Sequence, residues 1–208
     1  RIVLSVEDVN DCVNMTVQAL NMCEKYQAPV IMLSDGSLAF STQTIPTPDP
    51  ASFEIVERTR WDGEGEYMRY RMTESLISPM VDPGTPGGEH VAASLEHSES
   101  GAPKYTPENH EANALKRFNK IKAIIDEYPP AEIDGEGEAD VGIITWGSTI
   151  GVVREAVARL QAEGKKVKAL YPKLMYPMPV DQYEAFAATC KQILVPEVNY
   201  QGQLSHFI

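Results

Sequence analysis

Glycines and small polar residues follow the apolar run Ala139–Trp146, at the point where a strand would turn into a helix. Gly147-Ser148-Thr149 form this turn. Free backbone N–H groups and the helix dipole favour an anion at such a position. The turn has neither the glycine spacing of a dinucleotide fingerprint nor the Gly-Lys pair of a P-loop. Two interpretations stay open: a capped turn, which the pattern favours, and contact of Ser148 with a ligand or partner subunit.

Two further polar segments come directly after apolar runs. Asp35-Gly36-Ser37 follows Val30–Leu33, and Asn199-Tyr200 follows Val195-Pro196-Glu197. In parallel sheets the carboxyl ends of the strands form the edge where ligands bind. Asp-Gly also makes an ordinary turn, and Asn199 could merely cap a helix. Asp35, Asn199 and Tyr200 are therefore candidates for ligand or interface contact, with a purely structural role as the alternative.

Three histidines lie near glutamates in the polar middle of the chain, which superficially resembles a metal or acid–base cluster. Their separations do not place them on one helical turn as an HExxH motif would. Surface or interface histidines are favoured, and Glu96-His97 is the pair retained as a possible site. The residues concerned are His90, His97 and His110, beside Glu89, Glu96 and Glu111.

The remaining chemistry-bearing residues do not form a recognisable catalytic set. Cys12, Cys23 and Cys190 lie in segments predicted to be helical, without CxxC spacing, so buried free thiols are expected rather than a metal or iron–sulfur site. No GxSxG elbow, no Ser/His/Asp arrangement and no paired carboxylates of split pKa are evident. The residues predict an α/β protein without a self-contained catalytic machine.

Charge and composition exclude some classes of partner. The chain of 208 residues carries 30 acidic and 18 basic residues, a formal net charge of −12, which argues against nucleic acid and disfavours acidic partners. No run approaches the ~20 apolar residues of a membrane span, and no signal-peptide pattern begins the chain. A soluble cytoplasmic protein is expected. The apolar start at Arg1-Ile2-Val3 and end at Phe207-Ile208 suggest a piece of a longer polypeptide.

The first part of the chain predicts a β-α-β unit. Apolar runs at Arg1–Val6 and Pro29–Leu33 flank the amphipathic segment Asp8–Tyr26, which Asp8 or Asn10 could cap. Alone, such a unit exposes two sheet edges and one face, so exposed apolar surface is expected unless a second copy or partner covers it. Residues 1–45 are therefore interpreted as the end of a larger domain.

A connector and a second domain follow. From Ile45 to Pro83, prolines and Gly63-Glu64-Gly65-Glu66 interrupt any periodicity. A short strand is predicted at Tyr67–Met72, and the aromatic residues Trp61, Tyr67 and Tyr70 suggest that this stretch packs on another part of the protein. A long helix over Pro107–Glu127 ends this connector, residues 46–137. Residues 138–208 predict β-α-β-α-β with right-handed crossovers and one parallel sheet covered on both faces. The predicted elements are strands Ala139–Trp146, Lys166–Tyr171 and Gln192–Pro196, and helices Gly151–Gln161 and Val180–Cys190.

Several strings then occur in one order and at consistent spacing along the whole chain. They are Asp11-Cys12, Glu24-Lys25-Tyr26, Pro83-Gly84-Thr85, Leu95-Glu96-His97, Trp146-Gly147-Ser148-Thr149, Tyr176-Pro177 and Glu197-x-Asn199-Tyr200. Together they resemble the alpha subunit of 2-oxoacid:ferredoxin oxidoreductases, most closely the 2-oxoglutarate type. The resemblance implies the end of a thiamine-diphosphate pyrimidine-binding domain, an irregular connecting arm, and a transketolase C-terminal-like domain truncated at its end.

The resemblance also implies an activity and partners. In this family a 2-oxoacid is oxidatively decarboxylated, the acyl group passes to coenzyme A, and electrons reach ferredoxin through an iron–sulfur cluster. Thiamine diphosphate and Mg²⁺ lie between this subunit and a beta subunit that also holds a [4Fe-4S] cluster, and a second alpha–beta pair completes the assembly. The cofactor performs the carbon chemistry while protein groups orient it. No cofactor is expected on this stretch alone.

The resemblance maps no catalytic residue onto this chain. The glutamate that activates the aminopyrimidine and the Thr and Arg that hold the 2-oxoacid lie upstream of Arg1 in the family, so the catalytic and metal lists are empty. The positions expected near the cofactor or a subunit interface are Asp35, Glu96, His97, Ser148, Asn199 and Tyr200. The chain departs from the family at Ile150, where a polar residue is common, and at Pro196.

Two other functions compete with this one. A non-catalytic α/β assembly or interaction module could use the same scaffold, because a fold does not fix a function. A transketolase-like transferase would share the cofactor without ferredoxin, and the Glu96-His97 arm argues against it. The identity of the 2-oxoacid is not encoded in these residues.

Overall fold

The computed structural model describes all 208 residues. The protein contains two small sheets with their helices, joined by a long arm that has little regular structure. The first sheet has the strand order β2-β1-β6 and the second the order β3-β5-β4-β7. The strands are β1 (Ile2–Ser5), β2 (Val30–Leu33), β3 (Glu132–Asp134), β4 (Ala139–Ile144), β5 (Val167–Tyr171), β6 (Leu174–Tyr176) and β7 (Cys190–Leu194). The helices are α1 (Val9–Tyr26), α2 (Gly36–Ala39), α3 (Pro107–Lys122), α4 (Ile124–Glu127), α5 (Thr149–Ala162) and α6 (Val180–Ala188).

The predicted β-α-β unit is present at the start of the chain. Strands β1 and β2 pair in parallel, and Asp8 caps α1 by accepting a hydrogen bond from the Asp11 N–H at 2.7 Å. Its core contains Ile2, Leu4 and Met15 together with Ile124 of α4. Because α4 packs into this core, the end of the connector belongs physically to the first sheet.

The expectation of two open edges for this unit was wrong. Strand β6 pairs antiparallel with β1, with Leu4 opposite Leu174 and Val3 opposite Tyr176, so one edge of β1 is completed by residues from the second half of the chain. The expectation of exposed apolar surface is confirmed on β2, where Ile31 and Met32 are each 39% exposed.

The second sheet is covered on both faces, as predicted. One face packs on α5 through Ile150, Val153 and Val157. The other packs on α6 through Tyr183 and Phe186. The sheet is not wholly parallel, however, because β3 pairs antiparallel with β5 while β4 pairs in parallel with both β5 and β7. A segment that leaves α4 through Pro129-Pro130 reaches the free edge of β5 and runs against it.

The arm contains no strand at Tyr67–Met72, contrary to the prediction. Its aromatic residues form their own cluster: the ring of Tyr67 lies 5.3 Å from Trp61 and 5.3 Å from His90, centroid to centroid. The arm also docks on α1, where Arg58 donates to both carboxylate oxygens of Glu24 at 2.5 and 2.6 Å. These contacts replace the backbone ladder that a strand would have provided.

The predicted long helix over Pro107–Glu127 divides at Ala123 into α3 and α4. Thr106 caps α3, and Pro107 occupies its first turn, where a missing N–H costs nothing. The chain turns extended at Tyr128, as the following Pro129 favours. None of the helices is long and apolar enough to cross a membrane.

Candidate functional site

The carboxyl edges of the two sheets face each other, and charged side chains join them. Lys173, which lies between β5 and β6, contacts Asp11 at 2.7 Å and Glu7 at 3.3 Å. Arg154 of α5 contacts Glu7 at 3.3 Å and also pairs with Glu132. The β1 residue Ser5 donates its hydroxyl to the Pro172 carbonyl at 3.0 Å. These groups pair acids with bases and leave no nucleophile beside a free base.

Asp35 and Ser148, both predicted as site residues, meet across this boundary. One carboxylate oxygen of Asp35 accepts the Ser148 N–H at 2.8 Å, and the other accepts the Leu38 N–H at 3.0 Å. Asp35 follows the parallel strand β2, as predicted. The anion favoured at the Gly147-Ser148-Thr149 turn is thus a carboxylate of the same chain. Gly147 has a φ of +70°, and a Cβ there would stand 2.8 Å from the Asp35 Oδ2.

Burial alone would raise the pKa of Asp35, but the hydrogen bonds from the Ser148 and Leu38 N–H groups outweigh it and the net shift is downward. The expectation that Ser148 or Thr149 caps its own helix was wrong for Ser148, whose side chain makes no capping bond. The Thr149 hydroxyl donates instead to the Trp146 carbonyl at 2.6 Å. Helix α5 begins at Thr149, two residues earlier than predicted, because Asp35 supplies the cap from another part of the chain.

Asn199 belongs to a loop that Glu197 organises. Glu197 accepts hydrogen bonds from the Asn199 side chain at 2.6 Å, from the Leu204 N–H at 2.9 Å and from the Ser205 N–H at 3.0 Å. Burial would raise the pKa of Glu197, but these bonds lower it overall. Trp146 donates its indole N–H to the same carboxylate at 3.4 Å, which links this loop to the Ser148 turn.

Glu197 was missed from the sequence. Glu197 occurs in a string that resembles the family but was not chosen as a site residue, although its spacing from Asn199 and the final turn could have suggested a cap. Tyr200 is fully exposed and contacts nothing that would fix its ring. Asn199 therefore has a structural role within the chain, while Tyr200 is free to meet another molecule.

Glu96 and His97 lie on the arm against α3, in a separate cluster. The Glu96 carboxylate contacts Arg117 at 3.2 Å, the His110 ring at 2.8 Å and the Asn113 amide at 2.9 Å. These contacts lower the pKa of Glu96 to about 2. His97 stacks on Tyr70, with ring centroids 3.8 Å apart. The structure does not bring this pair to Asp35 and Ser148.

The cysteines and histidines do not assemble a metal site. No group of three or more His, Cys, Asp or Glu side chains is placed to hold a metal ion. Cys12 and Cys23 lie in α1, whereas Cys190 begins β7 rather than ending a helix, and all three residues are free cysteines that are partly exposed. The prediction of free cysteines is confirmed, and that of burial is confirmed only in part, since Cys12 and Cys190 pack against the two cores without being fully buried.

Comparisons with known proteins match both halves of the chain to one kind of enzyme. Residues 1–116 match the family described as "Pyruvate flavodoxin/ferredoxin oxidoreductase, thiamine diP-bdg". Residues 139–208 match "Pyruvate:ferredoxin oxidoreductase core domain II".

Individual relatives agree with these matches. The chain is 32% identical to the 2-oxoglutarate oxidoreductase subunit KorA of Mycobacterium tuberculosis, over 99% of this chain and 31% of that one. It is 28% identical to the 2-oxoglutarate synthase subunit KorA of Methanothermobacter marburgensis, over 98% of this chain and 54% of that one. The chain thus spans about a third to about half of the curated relatives that it matches.

A solved structure is similar over the entire chain. It is the 2-oxoglutarate:ferredoxin oxidoreductase from Magnetococcus marinus with 2-oxoglutarate, coenzyme A and succinyl-CoA bound. The identity is 67%, the TM-score is 0.97, and the match covers 100% of this chain and 36% of that one. Fold and sequence therefore agree on one set of relatives.

Proposed function

Because this chain belongs to the pyruvate flavodoxin/ferredoxin oxidoreductase family, we propose that it is part of the alpha subunit of a thiamine-diphosphate-dependent 2-oxoacid:ferredoxin oxidoreductase. The observation that carries the proposal is the 67% identity, over the whole chain, to a 2-oxoglutarate:ferredoxin oxidoreductase. That level of identity also supports 2-oxoglutarate as the substrate. The relatives that share about 30% identity and the KorA name point the same way.

The proposed reaction is an oxidative decarboxylation. A 2-oxoacid loses its carboxylate as CO₂, and the remaining acyl group forms a thioester bond with the sulfur of coenzyme A. A pair of electrons leaves the substrate and reduces ferredoxin, one electron at a time, through a [4Fe-4S] cluster that we place in the beta subunit. For 2-oxoglutarate the product is succinyl-CoA, a molecule that the Magnetococcus marinus enzyme also binds. We propose that the enzyme acts in the cytoplasm.

We propose three parts for the chain: the end of a pyrimidine-binding domain at 1–45, a connecting arm at 46–137, and a transketolase C-terminal-like domain at 138–208. The family matches over 1–116 and 139–208 support a boundary near residue 138. Two elements outside residues 1–45 pack with the first sheet. Strand β6 pairs with its strand β1, and helix α4 contributes Ile124 to its core. The three parts therefore form one packed unit rather than independent modules.

The residues present here do not by themselves build a site for thiamine diphosphate or Mg²⁺. The N-terminus of α5, which could have received a diphosphate, already receives Asp35, and no carboxylate cluster is placed to hold a metal. The buried polar side-chain atom that lacks a partner is the Tyr183 hydroxyl, which lies in the core with Phe186 and Leu170.

The proposed roles of the site residues are accordingly architectural. Asp35 and Ser148 fix the two sheets against each other, and Glu96 and His97 hold the arm on α3. Asn199 shapes the last loop through Glu197. Tyr200 is the position we propose for direct contact with the beta subunit or the second alpha–beta pair, because its ring is fully exposed.

The proposal is tested with the complex that co-purifies with the tagged full-length protein. Viologen reduction is measured with 2-oxoglutarate, coenzyme A and thiamine diphosphate, and again with each omitted. We expect activity that requires all three, together with formation of succinyl-CoA. Pyruvate and branched 2-oxoacids replace 2-oxoglutarate in parallel assays to define the substrate range.

Absence of reduction with every 2-oxoacid, in a preparation that contains the beta subunit and its cluster, would refute the enzymatic proposal. The chain would then be treated as the non-catalytic assembly module. Turnover of 2-oxoacids without transfer of electrons to viologen or ferredoxin would instead point to a transketolase-like transferase.

A further inference from the structure

A pocket of about 170 Å³ opens between the arm and α3, and its lining is cationic. Arg69, Lys116, Arg117 and Lys120 line it, and no carboxylate does. Only two of its ten lining residues are hydrophobic. In a chain with 30 acidic and 18 basic residues, a concentration of positive charge without acids is notable. We call this feature the cationic pocket.

Few of these cations are neutralised within the chain. Arg117 pairs with Glu96 at 3.2 Å. Lys116 donates to the Tyr70 carbonyl at 2.8 Å, the Arg71 carbonyl at 2.9 Å and the Ser78 hydroxyl at 2.6 Å, all of which are uncharged. Its hydrogen bonds are satisfied, but its charge is not.

The two remaining cations, Lys120 and Arg69, have fewer hydrogen-bond acceptors within the chain than Lys116 has. Lys120 donates to the Gln27 carbonyl at 3.2 Å. The Arg69 guanidinium lies over the Tyr70 ring, with Cζ 5.1 Å from the ring centroid, and no acid pairs with it. Arg69 therefore presents its planar set of N–H donors without a protein acceptor, which is the geometry that binds carboxylates and phosphates in pairs of hydrogen bonds.

Burial and the neighbouring positive charges lower the pKa values of both lysines of the pocket. Burial, then repulsion from Lys120, lowers the pKa of Lys116 to about 8, although Glu99 opposes the shift. Burial and the Arg69 charge also lower the pKa of Lys120. Like charges brought together away from water destabilise one another unless an anion compensates them. A bound anion would supply the negative charge that the chain does not.

We propose that the cationic pocket binds a compact small-molecule dianion, of the phosphate or the dicarboxylate class. Arg69 and Lys120 line the pocket and supply positive charge that no acid of the chain pairs with. A volume of about 170 Å³ suits a small anion rather than a whole nucleotide. The proposal rests on charge and geometry and stands whichever reaction the assembled enzyme performs.

The test uses the full-length protein with its co-purifying partners, saturated beforehand with thiamine diphosphate so that the cofactor's own site is filled. Calorimetric titrations use inorganic phosphate, pyrophosphate and succinate as separate probes. The variants are Arg69→Gln and Lys120→Gln. Lys165→Gln is the matched control, because Lys165 is exposed and far along the chain, after α5.

We expect at least one probe to bind, and its affinity to fall about tenfold or more in Arg69→Gln and in Lys120→Gln, as loss of one charge-assisted hydrogen bond predicts. Lys165→Gln should bind as the unmodified protein does. The probe that binds tightest decides between the phosphate and the dicarboxylate class.

The proposal is overturned if no probe binds at millimolar concentration, or if both pocket variants bind as tightly as the control. Thermal unfolding without anion verifies that each variant folds. Arg69 makes no hydrogen bond to lose, so Arg69→Gln decides the question even if Lys120→Gln proves unstable.

Discussion

The carboxylate of Asp35 serves the first turns of two helices at once. It receives the Leu38 N–H of α2 and the Ser148 N–H at the start of α5, which lies 113 residues further along the chain. Both donors are backbone groups that a helix leaves without internal partners. A single side chain therefore satisfies groups in both halves of the molecule, and its charge suits the positive end of the α5 dipole.

Replacing Asp35 with Asn is expected to destabilise the full-length protein by about 1–2 kcal/mol at pH 7, the range for loss of a charged cap. The folded-state pKa of Asp35 lies below its ordinary 3.8. Its stabilisation is therefore complete above pH ~4 and is lost as the pH falls through the lowered pKa. Urea unfolding at pH 7 and at pH 3 should show a difference between the two proteins that shrinks at the lower pH.

Asp49→Asn is the matched control for this experiment. Asp49 also caps a turn, accepting the Ala51 N–H at 2.9 Å, but this turn lies on the exposed arm and joins no second element. We expect a change in stability within about 0.5 kcal/mol. Equal effects of the two substitutions would contradict the role given to Asp35.

Residue positions near strand ends could be predicted from the sequence, and their partners could not. The turn after Val30–Leu33 placed Asp35 at a carboxyl edge because strand periodicity is local. Its contact with Ser148 depends on how two sheets pack, which no local pattern encodes. Glu197 and Glu127 were missed for the same reason: Glu127 accepts the Tyr26 hydroxyl at 2.6 Å from across the first core.

At the scale of elements, two glycines in the consecutive elements β4 and α5 have opposite surroundings. A Cβ on Gly142 of β4 would stand 2.5 Å from Cys190 Sγ and 2.9 Å from Ile193 Cδ1. A Cβ on Gly151 of α5 would meet nothing within 4 Å. The absence of a side chain at Gly142 lets α6 and β7 pack closely against β4, whereas no neighbouring atom requires a glycine at position 151.

Gly142→Ala is expected to destabilise the protein by about 1–3 kcal/mol, since adding a methyl group there overpacks the core. Gly151→Ala is expected to stabilise it by up to about 1 kcal/mol, because alanine loses less backbone entropy in a helix. Urea midpoints of the two variants should move in opposite directions. An unchanged or raised midpoint in Gly142→Ala would show that the packing around Gly142 is looser than described, and a lowered midpoint in Gly151→Ala would contradict the open space around Gly151.

Elements with strong periodicity were predicted to within two or three residues. Examples are α1, whose apolar positions recur at helical spacing, and β4, whose run of apolar residues is buried on both sides. Strand β6 was not predicted, because Leu174–Tyr176 is three residues long and precedes a proline. Short strands are defined by their neighbours rather than by their own residues.

For the whole molecule, Lys173 is one of two cations, with Arg154, that join the two sheets. It contacts both Glu7 and Asp11, and its side chain is 23% exposed. Lys173→Gln would leave these two carboxylates close together with one cation fewer. Partly buried acids that lose a counter-charge destabilise a fold more than exposed pairs do.

We expect Lys173→Gln to lower the free energy of unfolding by about 1–3 kcal/mol. The matched control is Lys191→Gln, which removes the highly exposed pair with Asp140 and should cost much less, because water screens an exposed ion pair. Denaturant titration of the full-length variants measures both. Equal losses would mean that the charges between the sheets are no more important than those on the surface.

The pairing of β6 with β1 means that the first sheet cannot be completed until late in the synthesis of this stretch. The ribosome adds Tyr176 and Leu174 about 170 residues after their partners Val3 and Leu4. At ~5–20 residues per second, synthesis of that stretch takes on the order of ten seconds or more. Throughout that interval the β1 edge has no β6 partner, so this is the period in which the nascent chain is most open to wrong pairing with another strand.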